Sequence, residues 1–411
     1  MGTVLRLELR ACGADAPADA LTCPACGPEG TLDVHYDLDA AGAAFARDLE
    51  DPTLRGVWRY RAILPVADDG PRPPLQVGPT PLVRVPAERG PGGLRALWIK
   101  DDGRLPTASF KDRATAIAVA RALEAGAPGL LCASTGNAAS SLSGFCAAAG
   151  LRAVILVPQA APRAKLAQLL VYGAELFPVA GTYDDAFDLS LPAAEHLGLM
   201  LRSTGVNPYL GEGKKTGALE LAEQFAWDPP EWVAVSVGDG CIVSGLYKGF
   251  KDLHALGRIP RVPKLLGVQA TGSDALTRAW EAGLDAPRAI SAQTCADSIS
   301  VDLPRDGRKA LRAIRESGGR FVRVTDEAIL AAMPLIARCS GVFSEPAGAA
   351  SLAGLLELRA QGELEADTRC VAWVTGSGLK DAESAIRAAG GIPAAIEPTL
   401  EALDRALAAR G

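Results

Sequence analysis

The sequence predicts an α/β protein made of parallel βαβ units, and three observations carry that reading. From about residue 75, short apolar runs alternate with segments of helical period. Parallel strands and their crossover helices read this way, because both faces of the sheet are covered. The chain has 411 residues, of which 48% are hydrophobic and 22% charged. That is enough to bury a large core in two or three domains and leaves little room for disorder. The nine cysteines are odd in number and widely spread, which excludes a disulfide scaffold and fits a reducing, cytoplasmic setting.

The elements follow in order. Residues 1–50 stand apart as a small cysteine-bearing extension. Cys23-Pro-Ala-Cys26 is a CxxC pair, but a first pair would begin at Leu9, and that knuckle has only Cys12. A zinc ribbon needs four ligands. His35 can supply one, although Thr31-Leu-Asp-Val-His-Tyr-Asp alternates like a strand. The reading is a degenerate, zinc-ribbon-like extension that folds without metal; Cys12, Cys23 and Cys26 are the candidate ligands if one binds. Strands are expected at 96–100, 129–133, 153–157, 174–180, 232–237, 264–269, 321–324 and 370–374. Helices fill the gaps, among them 111–125, 137–149 and one from Arg163. Prolines at 71–74 and 228–230 mark loops.

The net charge of −6 and the absence of a long basic run argue against a nucleic-acid protein. No apolar run approaches the length of a membrane span. The first residues lack the apolar region of a signal peptide.

In open α/β sheets, ligands gather where strands end and helices begin. Four segments occupy such places. Pro106-Thr-Ala-Ser-Phe-Lys111-Asp-Arg precedes a helix. The helix dipole there favours the neutral amine that a Schiff-base lysine needs, although a surface lysine paired with Asp112 reads the same way. Ala133-Ser134-Thr135-Gly136-Asn137 joins a strand to a helix and can hold a carboxylate, or simply cap that helix. Gly238-Asp239-Gly240-Cys241-Ile242 lets backbone N–H groups approach a phosphate, provided Asp239 points away; a tight turn is the alternative. Val374-Thr375-Gly376-Ser377-Gly378 offers a hydroxyl with no cation beside it, suited to a ring nitrogen or to capping the next helix. Each segment is ambiguous alone. Together they fit pyridoxal phosphate: lysine for the aldehyde, a glycine loop for the phosphate, a hydroxyl for the ring nitrogen and a cradle for an amino-acid carboxylate.

The order and wording of these segments resemble the fold-type II pyridoxal-phosphate enzymes of the tryptophan synthase beta superfamily, and within them the threonine synthases. That family carries PTGSFKDR, ASTGN, a glycine-rich loop and TGxGLKD; here they read PTASFKDR, ASTGN, GDGCI and TGSGLKD. Gly56-Val-Trp-Arg-Tyr, Gly78-Pro-Thr-Pro-Leu, Gly181-Thr-Tyr-Asp-Asp, Asn207-Pro-Tyr with Glu212-Gly-Lys-Lys-Thr, and Glu345-Pro-Ala-Gly-Ala match as well.

The resemblance implies two doubly wound parallel-sheet domains. A large cofactor domain would comprise 51–112 and 206–395, a smaller mobile one 113–205, with a C-terminal helix over 396–411. It implies that Lys111 carries the cofactor and moves protons, that Phe110 packs beside it, and that Asn137 bonds the ring hydroxyl. Residues 238–242 would hold the cofactor phosphate, and Thr375 would face the ring nitrogen. Ser134, Thr135 and Gly136 would bind the substrate carboxylate; Arg163, Lys165, Asn207 and Lys215 are the candidates for a substrate phosphate. The implied protein is a homodimer acting on a small, phosphorylated amino acid. Its implied reaction converts O-phosphohomoserine and water to threonine and phosphate.

Two departures stand out. The family has Asn where Leu105 stands and Gly where Ala108 stands, which opens the alternative of a related β-elimination or β-replacement enzyme, such as a Ser/Thr deaminase. A non-catalytic cofactor-binding protein is the third reading, disfavoured by the intact lysine and loops. His35, His196 and His254 all fall outside the matched motifs, so no imidazole base is expected.

Overall fold

A computed structural model describes residues 4–8, 15–17, 20–23, 25, 31–161, 163–203 and 205–409. The chain opens with strands β1 (Val4–Glu8), β2 (Asp15–Ala16) and β3 (Asp33–Tyr36), an antiparallel sheet of order β2-β1-β3, followed by helix α1 (Leu38–Glu50). Cys12 and Cys26 lie outside the described residues. Cys23 is buried, its sulfur accepting the Ala25 N–H at 3.3 Å. No group of metal-ligating side chains occurs among the described residues.

The main sheet has six strands. In chain order they are β4 (Leu82–Arg84), β5 (Leu97–Asp101), β10 (Trp232–Ser236), β11 (Lys264–Ala270), β12 (Arg320–Val324) and β13 (Cys370–Val374). Their spatial order is β12-β11-β10-β13-β5-β4, parallel except for the edge pair β4–β5. The central β10 and β13 are buried at every position, which is why they read as unbroken apolar runs. The second sheet is wholly parallel, of order β8-β7-β6-β9. Its strands are β6 (Gly129–Ala133), β7 (Arg152–Pro158), β8 (Glu175–Val179) and β9 (Met200–Leu201).

Helices α2 (Lys111–Glu124), α3 (Asn137–Ala149), α4 (Arg163–Val171), α5 (Tyr183–Leu197), α6 (Tyr209–Gln224) and α7 (Cys241–Ala255) follow in order. After them come α8 (Ala275–Glu281), α9 (Gly307–Glu316), α10 (Asp326–Ser340), α11 (Pro346–Ala360), α12 (Ala382–Ala388) and α13 (Leu400–Ala408). Helix α6 packs against both α2 and α7. The crossing with α2 depends on Gly213, where a Cβ would stand 2.3 Å from the Arg113 carbonyl oxygen. Among the described residues, no helix is long and apolar enough to cross a membrane.

Sequence and structure differ at a few elements. The edge strand β4 and the two-residue β9 are additions, too short for periodicity to reveal. The C-terminal helix begins at Leu400, where the Thr399 hydroxyl caps the Ala402 N–H at 3.2 Å.

Candidate active site

The four sequence segments sit at the carboxyl ends of parallel strands. Lys111 opens α2, which follows β5; the 134–136 turn follows β6; the 238–240 loop follows β10; and Thr375 follows β13. Two of the loops are stitched together. The Phe110 N–H donates to the Thr375 carbonyl at 2.8 Å, and Ser109 bridges to Gly376. The Phe110 ring lies edge-on to Trp373, with 5.7 Å between centroids.

The turn before Lys111 is fixed by the residue after it. The Asp112 carboxylate accepts the Thr107 N–H at 2.7 Å and its hydroxyl as well. Asp112 is thus a buried brace for the turn and not a surface partner of Lys111. Burial lowers the pKa of the Lys111 amine, and the positive charge of Arg202 lowers it further. Among the described residues no carboxylate forms an ion pair with Lys111. A partly buried, unpaired amine with a lowered pKa is what imine chemistry requires.

Helices α3 and α7 are among those whose N-termini have no side-chain cap. Helix α3 has Gly136 at its N-cap and no side-chain cap; α7 has Gly240 at its N-cap, at φ +92°, and again none. A Cβ at Gly240 would come 2.6 Å from that of Ala310, so glycine is required there for space as well as for conformation. Uncapped first turns leave N–H groups for an anion. Asp239 does not crowd this loop: its carboxylate accepts the Arg305 N–H at 3.2 Å and its carbonyl that of Asp306 at 3.0 Å. Cys241 is buried, which pushes its thiol well above the usual range. Ile242 follows it in the first turn. Gly238 is packed close enough that a Cβ would lie 3.0 Å from the Ile299 Cα.

On the other sheet, the Ser134 hydroxyl accepts the Gly136 N–H at 3.2 Å, and Thr135 lies between them, half-buried. The Asn137 amide donates to the Glu345 carboxylate at 3.0 and 3.3 Å. Glu345 is buried, which raises its pKa against the pull of Asn137, Lys380 and Lys111. Lys380 donates to the Ser140 hydroxyl at 3.1 Å and to Gln168 at 3.2 Å. Sequence reasoning offers Glu345 and Lys380 only as parts of longer motifs. The signal for Glu345 is a carboxylate ahead of a proline that opens a largely apolar helix; for Lys380, a lysine beside the Thr375 turn.

Two of the residues grouped for a substrate phosphate have partners within the protein. Lys215 is fully buried, paired with Glu212 at 2.6 Å and Asp252 at 2.9 Å, with its ammonium 4.0 Å from the Tyr36 ring centroid. Asn207 is spent on the backbone, donating to the Leu201 carbonyl at 3.0 Å and accepting the Tyr209 N–H at 3.0 Å. The polar groups of both have partners inside the core. Arg163 and Lys165 belong to α4, and their side chains lie outside the described residues. A residue that sequence reasoning missed, Lys214, is buried in a cavity it shares with Cys241; burial lowers its pKa to about 8. Of the departures, Leu105 packs into the apolar cluster of α2, α3 and β6, while Ala108 adopts φ +64°.

Residues 74–376 match the model of the pyridoxal-phosphate dependent enzyme family. Threonine synthase of Methanocaldococcus jannaschii is 38% identical over 96% of this chain and 98% of its own length. That of Methanosarcina acetivorans is 37% identical over 91% of this chain and 92% of its own. Among solved structures, the processed form of threonine deaminase isoform 2 from Solanum lycopersicum superposes with a TM-score of 0.66 at 21% identity, covering 86% of this chain and 94% of its own, a likeness of fold. The chain belongs to the pyridoxal-phosphate dependent enzymes of fold type II, and within them to the threonine synthase family. An unpaired lysine of lowered pKa, in a set of loops that includes uncapped helix N-termini, suits that cofactor.

Proposed function

We propose that the protein is a threonine synthase, converting O-phosphohomoserine and water to threonine and phosphate. The observation that carries this is Lys111: an unpaired amine of lowered pKa at the first position of α2, within reach of the charges at Arg202, Asp239 and Glu345. Near-full-length relatives with that name support the choice of reaction.

Pyridoxal phosphate, when bound, supplies an electron sink beside the substrate's Cα. Lys111 holds the cofactor and then acts as the base that moves the α-proton and a β-proton. The γ C–O bond breaks with loss of phosphate, the γ-carbon takes up a proton, water forms the new C–O bond at the β-carbon, and a proton returns to the α-carbon. The α7 first turn and residues 238–242 would hold the cofactor's phosphate, Thr375 its ring nitrogen and Asn137 its ring hydroxyl; Glu345 orients the Asn137 amide. Ser134, Thr135 and Gly136, at the α3 N-terminus, receive the substrate carboxylate. That contact draws the smaller sheet, within 113–205, toward the larger one and excludes water until it is needed. The reading includes a cytoplasmic homodimer. For the substrate phosphate, Arg163 and Lys165 remain the candidates.

The test is turnover of cofactor-loaded protein with O-phosphohomoserine, following phosphate and threonine together. Equal release of both is expected; release of a 2-oxo acid and ammonia would replace this reading with a deaminase. Lys111→Ala should lower turnover by several orders of magnitude, and an active variant would sink the assignment.

A further inference from the structure

Lys214 lies on α6 with no exposed surface, and its Nζ has no hydrogen-bond partner. A buried ammonium without a partner is costly, so its retention calls for a reason. Its neighbour Lys215 has two carboxylates; Lys214 faces the other way. It lines a small cavity together with Cys241, the first residue of the fifteen-residue α7. The two helices touch here: a Cβ added at Gly245 would stand 2.6 Å from that of Lys214. Lys214 thus lies against α7 and shares a cavity with its first residue.

It is not the sole cation there. The charges of Lys111 and Arg202 both act on Lys214. Arg202 is fully buried, and its partners are neutral: the Thr115 hydroxyl at 3.4 Å and the Cys132 thiol. Among the described residues, none of the three forms an ion pair with a carboxylate. Asp306 lies in the same cavity, 4.0 Å from Lys309, and burial raises its pKa, which weakens it as a counter-charge. Asp239 is occupied by the Arg305 N–H. Lys214 and Arg202, two buried cations close to an uncapped helix end, form a site suited to a dianion.

We propose that Lys214 is the counter-charge of the cofactor's phosphate, completing the seat formed by Gly238–Ile242. The inference rests on the reading that this site holds pyridoxal phosphate. The chemistry recognised is a phosphate monoester dianion, which the substrate also carries. The cavity that Lys214 shares with Cys241, the residue after Gly240, assigns Lys214 to the cofactor.

The experiment titrates cofactor-free wild type and Lys214→Met with pyridoxal phosphate and with pyridoxal, which lacks the phosphate, following the absorbance of bound cofactor. Loss of one charge-assisted contact predicts that the variant binds pyridoxal phosphate about 10- to 100-fold more weakly. Its affinity for pyridoxal should be unchanged, as should KM for O-phosphohomoserine at saturating cofactor. Lys214→Arg should recover part of the loss, and Lys214→Gln serves if the methionine variant does not fold. Unchanged affinity for both ligands would overturn the proposal. Equal weakening of both would mark a structural role. A raised KM with cofactor affinity intact would assign Lys214 to the substrate's phosphate. A wild type that does not prefer pyridoxal phosphate to pyridoxal would defeat the underlying reading of the site itself.

Discussion

Ala108 sits at φ +64°, in the turn that delivers Lys111, where the family's motif has glycine. The left-handed region costs a side-chain-bearing residue roughly 1–2 kcal/mol, and glycine gives back about 0.5–1 kcal/mol through its freer unfolded chain. Ala108→Gly should therefore stabilise the cofactor-free protein by about 0.5–1 kcal/mol, read as a raised urea midpoint. Lys214 gives a second test at this scale. Its pKa falls from the usual 10.5 to about 8, so the unfolded chain binds the extra proton between those values. Stability must then rise with pH across that window, by about 3 kcal/mol at ~1.4 kcal/mol per unit. The groups acting on it are Cys241, Lys111, Arg202 and Asp306. Cofactor-free Lys214→Met should lack this part of the rise; a parallel pH profile would refute the shift. The two adjacent lysines also show the limit of reading residues from sequence. Lys111 was legible because a motif and a helix start coincide. Lys214 and Lys215 differ by one step around α6, and only the packing of α7 decides which ammonium meets carboxylates and which meets the glycine loop.

The start of α2 is held by more than its own turn. Arg113, fully buried, pairs with Asp102 at 2.7 Å and Glu220 at 3.0 Å, while Glu220 also takes the Lys100 ammonium and the Thr80 N–H at 2.9 Å. This network ties β5, α2 and α6 together close to Lys111. Breaking a buried pair leaves an uncompensated charge, at about 3–5 kcal/mol. Arg113→Met should lose about that much in chemical unfolding, whereas Arg152→Met, which removes the exposed pair with Glu175, should barely move the curve. Nothing in the local pattern announced the network. Asp102 and Glu220 are far apart in the chain, and their acidic character reads as surface until the fold buries them. The long strands and helices were legible because burial on both faces, or on one stripe, imposes a period. Strand β9 has two residues and β4 lies at an edge, so neither is long enough to show one.

At the scale of the molecule, the alternation of strands and helices was enough to expect parallel sheets, but not how they face each other. The polar contacts across the cleft include Asn137 with Glu345, and Lys380 with Ser140 and Gln168. An additional exposed pair joins Arg305 to Asp184 at 2.9 Å. Helices α3 and α4 therefore lean on the larger layer through side chains whose long-range partners no sequence window contains. Lys380 contributes two of these bonds, and burial lowers its pKa, so its loss removes cross-links without stranding a strongly paired carboxylate. A typical hydrogen bond contributes about 1 kcal/mol net. Lys380→Met should then speed amide exchange in β6, β7 and α3 by roughly fivefold per bond lost, while exchange in β10 and β13 stays unchanged. Exchange that rose equally in both sheets would mean the variant loosens the whole molecule. Exchange unchanged in both would mean the two layers are held together by their buried faces alone, with no independent movement for substrate to drive.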